Sequence, residues 1–465
     1  MFTLTDLADP KILFANFKDP VSNLIDIYRL SNYIEKNVLD LPTRKRNGVY
    51  FTPQSLSDLA IRNITMKDGE TAIDTACGIG NLLIPLARKS SLPLYDAYLN
   101  VFGIEINSDF IEIAKAIMAS DTNSPKDSFS KCFRCLDFMN TPISDTIKYD
   151  ILVINPPYLS GIRNSIIDKN DKVIKGGSNI CFQYLYKSMD LLKHPNRIGA
   201  ILPSSFLHNH HLTTIRNSWS LSNYIKEIWY IEPNRSWFND TLVNTCVIYA
   251  DNTNSSTEIL LGRFPSDVSP HYVQSISSSN WSHLFLSDEF KDLGTYRTIT
   301  EQFNISSGLI VSEAYECSSF ITDCQIGEGK KFVTSGMLTA DKIHWGSKKK
   351  RILKNQYTYP RLAPNALFSK SLNAKLLDSR SKIIVSGLSV KLIAFYDRLG
   401  EYLPGAGTFI ITHHTNDLEK LRLLWESLNS DKGQAYMRAV LETKRLSAQS
   451  YPISKDFLCG FPLEF

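Results

Sequence analysis

Thr71-Ala72-Ile73-Asp74-Thr75-Ala76-Cys77-Gly78-Ile79-Gly80-Asn81 decides how this chain folds. It reads as a short strand, a glycine-rich turn, and a helix over Leu82 to Arg88. Gly78 and Gly80 permit a tight turn and let a ligand come close to the backbone. Val101-Phe102-Gly103-Ile104-Glu105 reads as a second strand ending in a carboxylate. The 31 positions from Asp74 to Glu105 suffice for a strand–helix–strand unit. An acid at the end of the second strand suits bidentate binding of ribose hydroxyls. Arg134-Cys135-Leu136-Asp137-Phe138 offers a third strand end, with an acceptor for an exocyclic amine beside an aromatic ring.

A fourth strand end is chemically the most unusual. The apolar run Tyr149-Asp150-Ile151-Leu152-Val153-Ile154 leads directly into Asn155-Pro156-Pro157-Tyr158. Two prolines stiffen the backbone and remove two N–H donors, leaving carbonyl oxygens as acceptors. Asn155 adds a side-chain acceptor and Tyr158 a flat π-face. Such a cluster grips a planar NH₂ and frees its lone pair to attack. A bare Asn-Pro-Pro also suits a plain turn after a strand. Four strand ends in this order, each carrying a suitable group, favour the chemical reading.

These motifs resemble the S-adenosylmethionine-dependent DNA amino-methyltransferases of restriction–modification systems, in the arrangement with the cofactor motif first, Asn-Pro-Pro-Tyr second and the target-recognition domain last. Asp74-Thr75-Ala76-Cys77-Gly78-Ile79-Gly80 is similar to the family's cofactor loop, which more often has Pro where Thr75 stands. Gly48-Val49-Tyr50-Phe51-Thr52-Pro53 is similar to the preceding segment that holds the methionine end of the cofactor. The resemblance implies a cofactor set of Thr52, Asp74, Ala76, Cys77, Gly78, Gly80, Glu105, Ile106, Asp137 and Phe138. Asn155, Pro156, Pro157 and Tyr158 are implied as the catalytic group. Trp237-Phe238, followed by Val243-Asn244-Thr245-Cys246-Val247-Ile248, resembles the motif whose aromatic contacts an extruded base, which assigns Phe238 and Tyr158 to the target. Phe238 suits an ordinary core position equally well, Phe51 reads as core, and Asp74 also suits a helix N-terminal cap.

Bulk properties agree. The 465 residues exceed one ordinary domain, and two are expected. Hydrophobic content of 43% and charged content of 21% are those of a globular protein. No apolar run nears the ~18 residues that span a bilayer, and the first residues lack a basic-then-apolar leader. A cytoplasmic protein with no membrane association is expected. The eight cysteines are scattered and read as free thiols. Cys132 and Cys135 have metal-like spacing but no second pair nearby, so no metal is expected. The groups His208, His210, His211 and His413-His414 read as surface loops.

A net charge of +4 says little, but its distribution is uneven. Between Lys342 and Lys391 the basic residues number twelve, against the single acid Asp378. Trp345, Tyr357, Tyr359 and Phe368 are interleaved. Such a stretch reads as a phosphate-binding surface, and Lys348, Lys349, Lys350 and Arg351 are the candidates for DNA-backbone contact. The bland alternative is a solvated face.

The expected architecture is α/β. A Rossmann-like methyltransferase domain with a mainly parallel sheet occupies residues 1–262, including a helical extension over 1–40. A mixed α+β target-recognition domain occupies 263–465, joined through the Ser/Asn-rich stretch 251–282. The implied function is transfer of a methyl group from S-adenosylmethionine to the N6 amine of a flipped-out adenine in double-stranded DNA. A monomer is expected, with a separately encoded restriction endonuclease admitted as a partner. Two other classes compete. A protein-glutamine or RNA methyltransferase would use the same planar-NH₂ logic but typically lacks a large C-terminal domain. A non-catalytic DNA-specificity subunit would have no need of intact Asn155-Pro156-Pro157-Tyr158.

Overall fold

The computed structural model describes residues 2–142, 147–158, 166–167, 173–174, 180–207, 212–222, 224–232, 244–253, 256–265, 269–274, 276, 281–285, 297–347, 349–352, 355–441 and 450–463. The chain divides into two compact units, Met1–Leu284 and Phe285–Phe465. Among the described residues no helix is long and apolar enough to cross a membrane.

The first unit opens with helices α1 (Leu4–Leu7), α2 (Pro10–Phe17), α3 (Ile27–Asn37), α4 (Leu41–Asn47) and α5 (Gln54–Ile61). Then come β1 (Ala72–Asp74), α6 (Leu83–Arg88), α7 (Leu94–Leu99), β2 (Val101–Glu105), α8 (Ser108–Thr122), β3 (Phe133–Cys135) and β4 (Tyr149–Ile154). The short strands β5 (Ile166–Ile167) and β6 (Val173–Ile174) pair with each other. The unit closes with α9 (Ile180–Met189), β7 (Leu192–Pro203), α10 (Thr213–Leu221), β8 (Ile225–Ile231), β9 (Thr245–Asp251), β10 (Ile259–Phe264) and β11 (His271–Val273).

These strands form one nine-stranded sheet in the order β11-β10-β8-β9-β7-β4-β1-β2-β3. The pairings from β3 through β2, β1 and β4 to β7 are all parallel. β8 and β10 are also parallel, whereas β9 runs antiparallel to both β7 and β8. The run Tyr149–Ile154 is nearly continuous in apolar residues because β4 is covered on both faces, as central parallel strands are. Close approach matters at Gly199 in β7, where a Cβ would lie 2.4 Å from the Ala60 carbonyl oxygen of α5.

The boundary differs from the expected residue 262. That position lies inside β10, which pairs with β8 from Leu260↔Glu227 to Phe264↔Ile231. Trp281 is fully buried and meets Phe206 edge-on at 5.9 Å. The apolar run Ile259-Leu260-Leu261 therefore completes the sheet, and the Ser/Asn-rich composition around it hid this strand.

The helical extension packs into the main core through Leu7, Leu13, Phe17, Leu30 and Ile34, and a buried polar cluster fastens it further. Arg88 on α6 donates from Nη2 to Asp121 Oδ2 at 2.6 Å and to the Ile25 carbonyl at 2.9 Å. Tyr98 on α7 donates to the same Asp121 oxygen, and Ile25 N–H donates to Asp121 Oδ1 at 2.8 Å. The side chain of Asp121, on α8, is fully buried. One carboxylate thus ties three helices of the sheet's flank to the chain before α3.

The second unit holds two four-stranded sheets. One has the order β12 (Phe303–Ser307), β22 (Thr408–His413), β18 (Lys382–Ser386), β20 (Ala394–Asp397); the other, β13 (Thr322–Asp323), β17 (Pro360–Leu362), β14 (Lys330–Val333), β21 (Tyr402–Pro404). Two-stranded pairs β15 (Lys350–Ile352) with β16 (Asn355–Tyr357), and β19 (Leu388–Ser389) with β23 (Tyr451–Pro452), complete its strands. Its helices are α11 (Val311–Glu316), α12 (Lys370–Leu377), α13 (Leu418–Asn429), α14 (Asp431–Leu441) and α15 (Lys455–Cys459). His413 is not on a surface loop as expected. It is buried at the end of β22, and its Nδ1 accepts from Thr415 and Asp417 N–H, both at 3.2 Å. His208, His210 and His211 lie outside the described residues.

Asp121→Ala should leave the Arg88 guanidinium buried without its partner. Breaking such a pair costs about 3–5 kcal/mol. Urea unfolding of the variant should show a correspondingly lower midpoint. A loss no larger than the ~0.5 kcal/mol of an ordinary surface substitution would show that the cluster does not hold the extension.

Candidate active site

The strand order reverses between β1 and β4. Such a reversal opens a crevice at the carboxyl ends of the strands. The loops after β1, β2, β3 and β4 all emerge there, and they line one cleft of about 580 Å³. Its walls include Thr75, Ala76, Gly78, Glu105, Ile106, Asp137, Phe138, Asn155 and Pro157 from the sequence motifs, together with Tyr50, Phe51, Phe110 and Tyr184. A smaller recess opens beside it, lined by Thr52, Asp74, Ala76, Cys77, Gly78, Asn81 and Asn155. Asn155 lines both spaces.

Backbone donors fix the two carboxylates. Glu105 accepts from Gly78 N–H on one oxygen and from Asn107 N–H on the other, each at 2.9 Å. Gly78 has φ +54°, and a Cβ there would meet the Phe51 ring at 3.3 Å. Asp74 Oδ1 accepts from Ala76 N–H at 2.9 Å. Asp74 does not cap α6, whose N-cap is Leu82 with no side-chain bond. Gly80 lines neither space; its φ of +92° serves the turn, and a Cβ there would press on Ile84 at 2.8 Å. Phe51 is buried, as its reading as core requires. It packs edge-on against Phe110 at 5.3 Å and also faces the cleft.

Asn155 donates from Nδ2 to Thr52 Oγ1 at 2.9 Å. Tyr158 donates its hydroxyl to the Ile201 carbonyl of β7 at 3.1 Å and lines neither space. Pro156 is buried and faces neither space. Phe238 lies outside the described residues.

On α9, Tyr184 lines the cleft and Lys187 braces the segment after β3, and sequence reasoning missed both. Lys187 Nζ donates to the carbonyls of Phe138, Met139 and Thr141 at 2.5, 3.0 and 2.7 Å. Tyr184 packs on Phe138 with ring centroids 5.5 Å apart. Their only sequence signal is an i, i+3 spacing that puts both on one helix face. Asp137 is occupied locally, its Oδ1 accepting from Met139 N–H at 3.0 Å and its Oδ2 from Asn140 Nδ2 at 2.7 Å.

Burial governs the protonation of the site. It pushes Asp74 up to about 8, with the Ala76 N–H opposing and the Glu105 charge adding to the rise. Burial also raises Glu105 above the usual carboxylate range, against the N–H groups of Asn107, Gly78 and Ile106. The Cys77 thiol is held well above its ordinary value by burial, then by Glu105 and Asp74, so it is no thiolate nucleophile at neutral pH. Among the described residues no group of three His, Cys, Asp or Glu could hold a metal ion.

In the second unit much of the basic stretch is already engaged within the fold. Lys375 pairs with Glu313, Lys382 with Asp397 and Arg380 with Asp378. Arg361 donates to the carbonyls of Cys324, Gln325 and Gly329. Tyr357 and Phe368 are buried, and the Trp345 indole donates to the Pro360 carbonyl at 3.0 Å. Lys349 and Arg351 are exposed at the β15–β16 pair, with Lys350 half-buried beside them. Lys348 lies outside the described residues.

The family model described as N-6 DNA Methylase matches residues 32–268. The Type II methyltransferase M.AccI of Acinetobacter calcoaceticus is 23% identical over 278 residues, 55% of this chain and 48% of that protein. The Type II methyltransferase M.CvrRI of Paramecium bursaria Chlorella virus XZ-6E is 25% identical over 169 residues, 36% of this chain and 38% of that protein. The chain thus spans less than half the length of either curated relative. The solved structure of the Type IIL restriction-modification enzyme MmeI in complex with DNA matches with a TM-score of 0.51 at 11% identity, covering 90% of this chain and 68% of that one; this likeness is one of fold. The family match takes in every strand end that builds the cleft and more than half of the chain, and the chain belongs to the N-6 DNA Methylase family.

Proposed function

We propose that this protein transfers a methyl group from S-adenosylmethionine to the N6 amine of adenine in double-stranded DNA, at a fixed sequence, within a restriction–modification or phage-defence system. One observation carries the reading: Gly78, Glu105, Asp137-Phe138 and Asn155, each at the end of a different strand, converge on a single cleft of about 580 Å³. That volume lies within the ~300–1,000 Å³ of ordinary ligand sites.

The residues fit the cofactor. Glu105 keeps acceptor capacity beyond its two backbone bonds and suits ribose hydroxyls. Phe138, Ile106 and Asp137 suit the adenine ring and its amine. Thr52, Asp74, Ala76 and Cys77, with the glycine turn, border the recess where the methionine end would lie. S-adenosylmethionine supplies a methyl already activated by the sulfonium charge. The protein's work is then to orient and desolvate a weak amine. Asn155 Oδ1 and the Pro156 carbonyl would accept the two N–H bonds of adenine N6, favouring a pyramidal nitrogen with an available lone pair. The base must leave the duplex, at a cost of a few kcal/mol. Stacking on Tyr158 and Phe238, worth about 1–3 kcal/mol per base, offsets part of that cost. The second unit supplies target recognition, with Lys348, Lys349, Lys350 and Arg351 on the DNA backbone. A separately encoded endonuclease is the partner such a system would use.

Two outcomes are expected. Incubation of duplex DNA with labelled cofactor should yield N6-methyladenine on nucleoside analysis. Asn155→Ala should lower transfer by about 10²–10³-fold while cofactor binding persists. Label in N4-methylcytosine, RNA or protein glutamine would overturn the reading.

The cofactor carries positive charge, so its binding beside Asp74 should lower that carboxyl's pKa from about 8. Binding then favours the ionised form. The affinity should rise with pH and level off above about 8, with proton release near neutrality. Calorimetry in buffers of different ionisation enthalpy measures that release directly. Affinity that falls as pH rises from about 7 to 8, the unit below the raised pKa, would contradict it.

Neutralising Lys349, Lys350 and Arg351 should weaken binding to all DNA sequences alike. The slope of log affinity against log salt should become shallower by about 0.9 per lost contact. An unchanged slope would make the β15–β16 pair a solvated face.

A further inference from the structure

Asn81 closes the segment that begins at Asp74. It ends the glycine turn, is buried, and belongs to the recess. Its Nδ2 donates to Ser31 Oγ on α3 at 2.8 Å and to the Thr52 carbonyl at 3.1 Å. The Ser31 hydroxyl has acceptors in the Ile27 carbonyl at 2.7 Å and Asn81 Oδ1 at 3.2 Å, while its oxygen accepts from Asn81 Nδ2. The Asn81 carbonyl accepts from Ser57 Oγ on α5 at 2.8 Å. The backbone of Thr52 is thereby pinned between α3, α5 and the glycine turn. The Thr52 side chain is 5% exposed, and its hydroxyl receives the Asn155 amide at 2.9 Å.

This geometry bears on what Asn155 can present. A carboxamide has one donor end and one acceptor end. Its terminal torsion is broad and roughly two-fold, so a local partner must choose between the two orientations. Thr52 lines the recess but not the main cleft, whereas Asn155 lines both. With Nδ2 held on the recess side, Oδ1 is left to the cleft side. The reverse orientation would set an NH₂ against the incoming NH₂ and forfeit the bond.

We propose that Thr52 and Asn81 are positioning residues for Asn155. Asn81 fixes the place of Thr52, and the Thr52 hydroxyl, accepting from Nδ2, holds the Asn155 carboxamide with its oxygen turned to the target amine. The proposal rests on the reading of Asn155 as that acceptor, and it gives Thr52 a task separate from cofactor contact.

Single-turnover transfer and cofactor binding should be measured together for Thr52→Val, Thr52→Ser, Asn155→Ala and Thr52→Val/Asn155→Ala. Valine keeps the shape and removes the hydroxyl. Measured at saturating cofactor, Thr52→Val should slow transfer about 10- to 100-fold, the scale of a small misplacement at a reacting centre. Thr52→Ser should recover the rate. In the Asn155→Ala background, Thr52→Val should cost nothing further, because no carboxamide remains to orient. A Thr52→Val variant that loses cofactor affinity yet transfers at full rate when saturated overturns the proposal, as does a loss that multiplies with Asn155→Ala. Absence of transfer by the wild-type protein would instead count against the functional reading. The orientation is then decided by the Asn155 side-chain NH₂ resonance in ¹⁵N-asparagine-labelled protein, assigned by its loss in Asn155→Ala. It should shift in Thr52→Val and return in Thr52→Ser; an unmoved resonance sinks the idea.

Discussion

The parallel pairing of β1 with β4, in the register Ile73↔Leu152, is the constraint on which the site depends. The chain lays down β1, β2 and β3 in one direction and then returns to the other side of β1. Connections leaving β1 and β4 diverge to opposite faces, and the gap between them cannot be filled by either. The glycine turn and the Asn155 segment therefore face each other across it. Had β4 been added beyond β3, the same motifs would have stood three strands apart with no shared cleft.

Within that gap, backbone amides do most of the ordering. Gly78 and Asn107 hold both oxygens of Glu105, and Ala76 holds Asp74. Each bond ties a loop from one strand to another loop or to itself, and the buried side chains of Cys77, Ile79 and Leu82 seat the turn on the core. Burial meanwhile raises both carboxylates above their ordinary range. A site with Asp74 in its recess and Glu105 in its cleft gains most from a cation, which restores to these anions the charge stabilisation that lost water no longer gives.

The second unit shows how charge counted along a sequence misleads. The stretch from Lys342 to Lys391 contains one acid, yet Glu313 and Asp397 reach into it from outside and neutralise Lys375 and Lys382. Its aromatics are likewise drawn inward, Tyr357 and Phe368 into the core and Trp345 against Pro360 and Arg361. Lys349 and Arg351, on the β15–β16 pair, remain exposed and keep the character that the sequence suggests for the whole run.

The sequence by itself determined the strand ends and their order. Gly78, Glu105, Asp137 and Asn155 each follow an apolar run whose period and punctuation are local properties, readable without knowing where the strands go. It also carried the α/β class, because those runs alternate with helical stretches from Thr71 onward. It missed β10, whose three apolar residues are set among Ser and Asn and become a strand only through hydrogen bonds to β8. It missed Lys187, Tyr184 and Asn81, and it placed His413 on the surface. A lysine capping three carbonyls or an asparagine bridging Ser31 and Thr52 has no local signature, since its partners lie 46 to 49, 50 and 29 positions away. Only the tertiary structure decided those contacts, because satisfying a buried polar group depends on what the fold brings beside it, not on its neighbours along the chain.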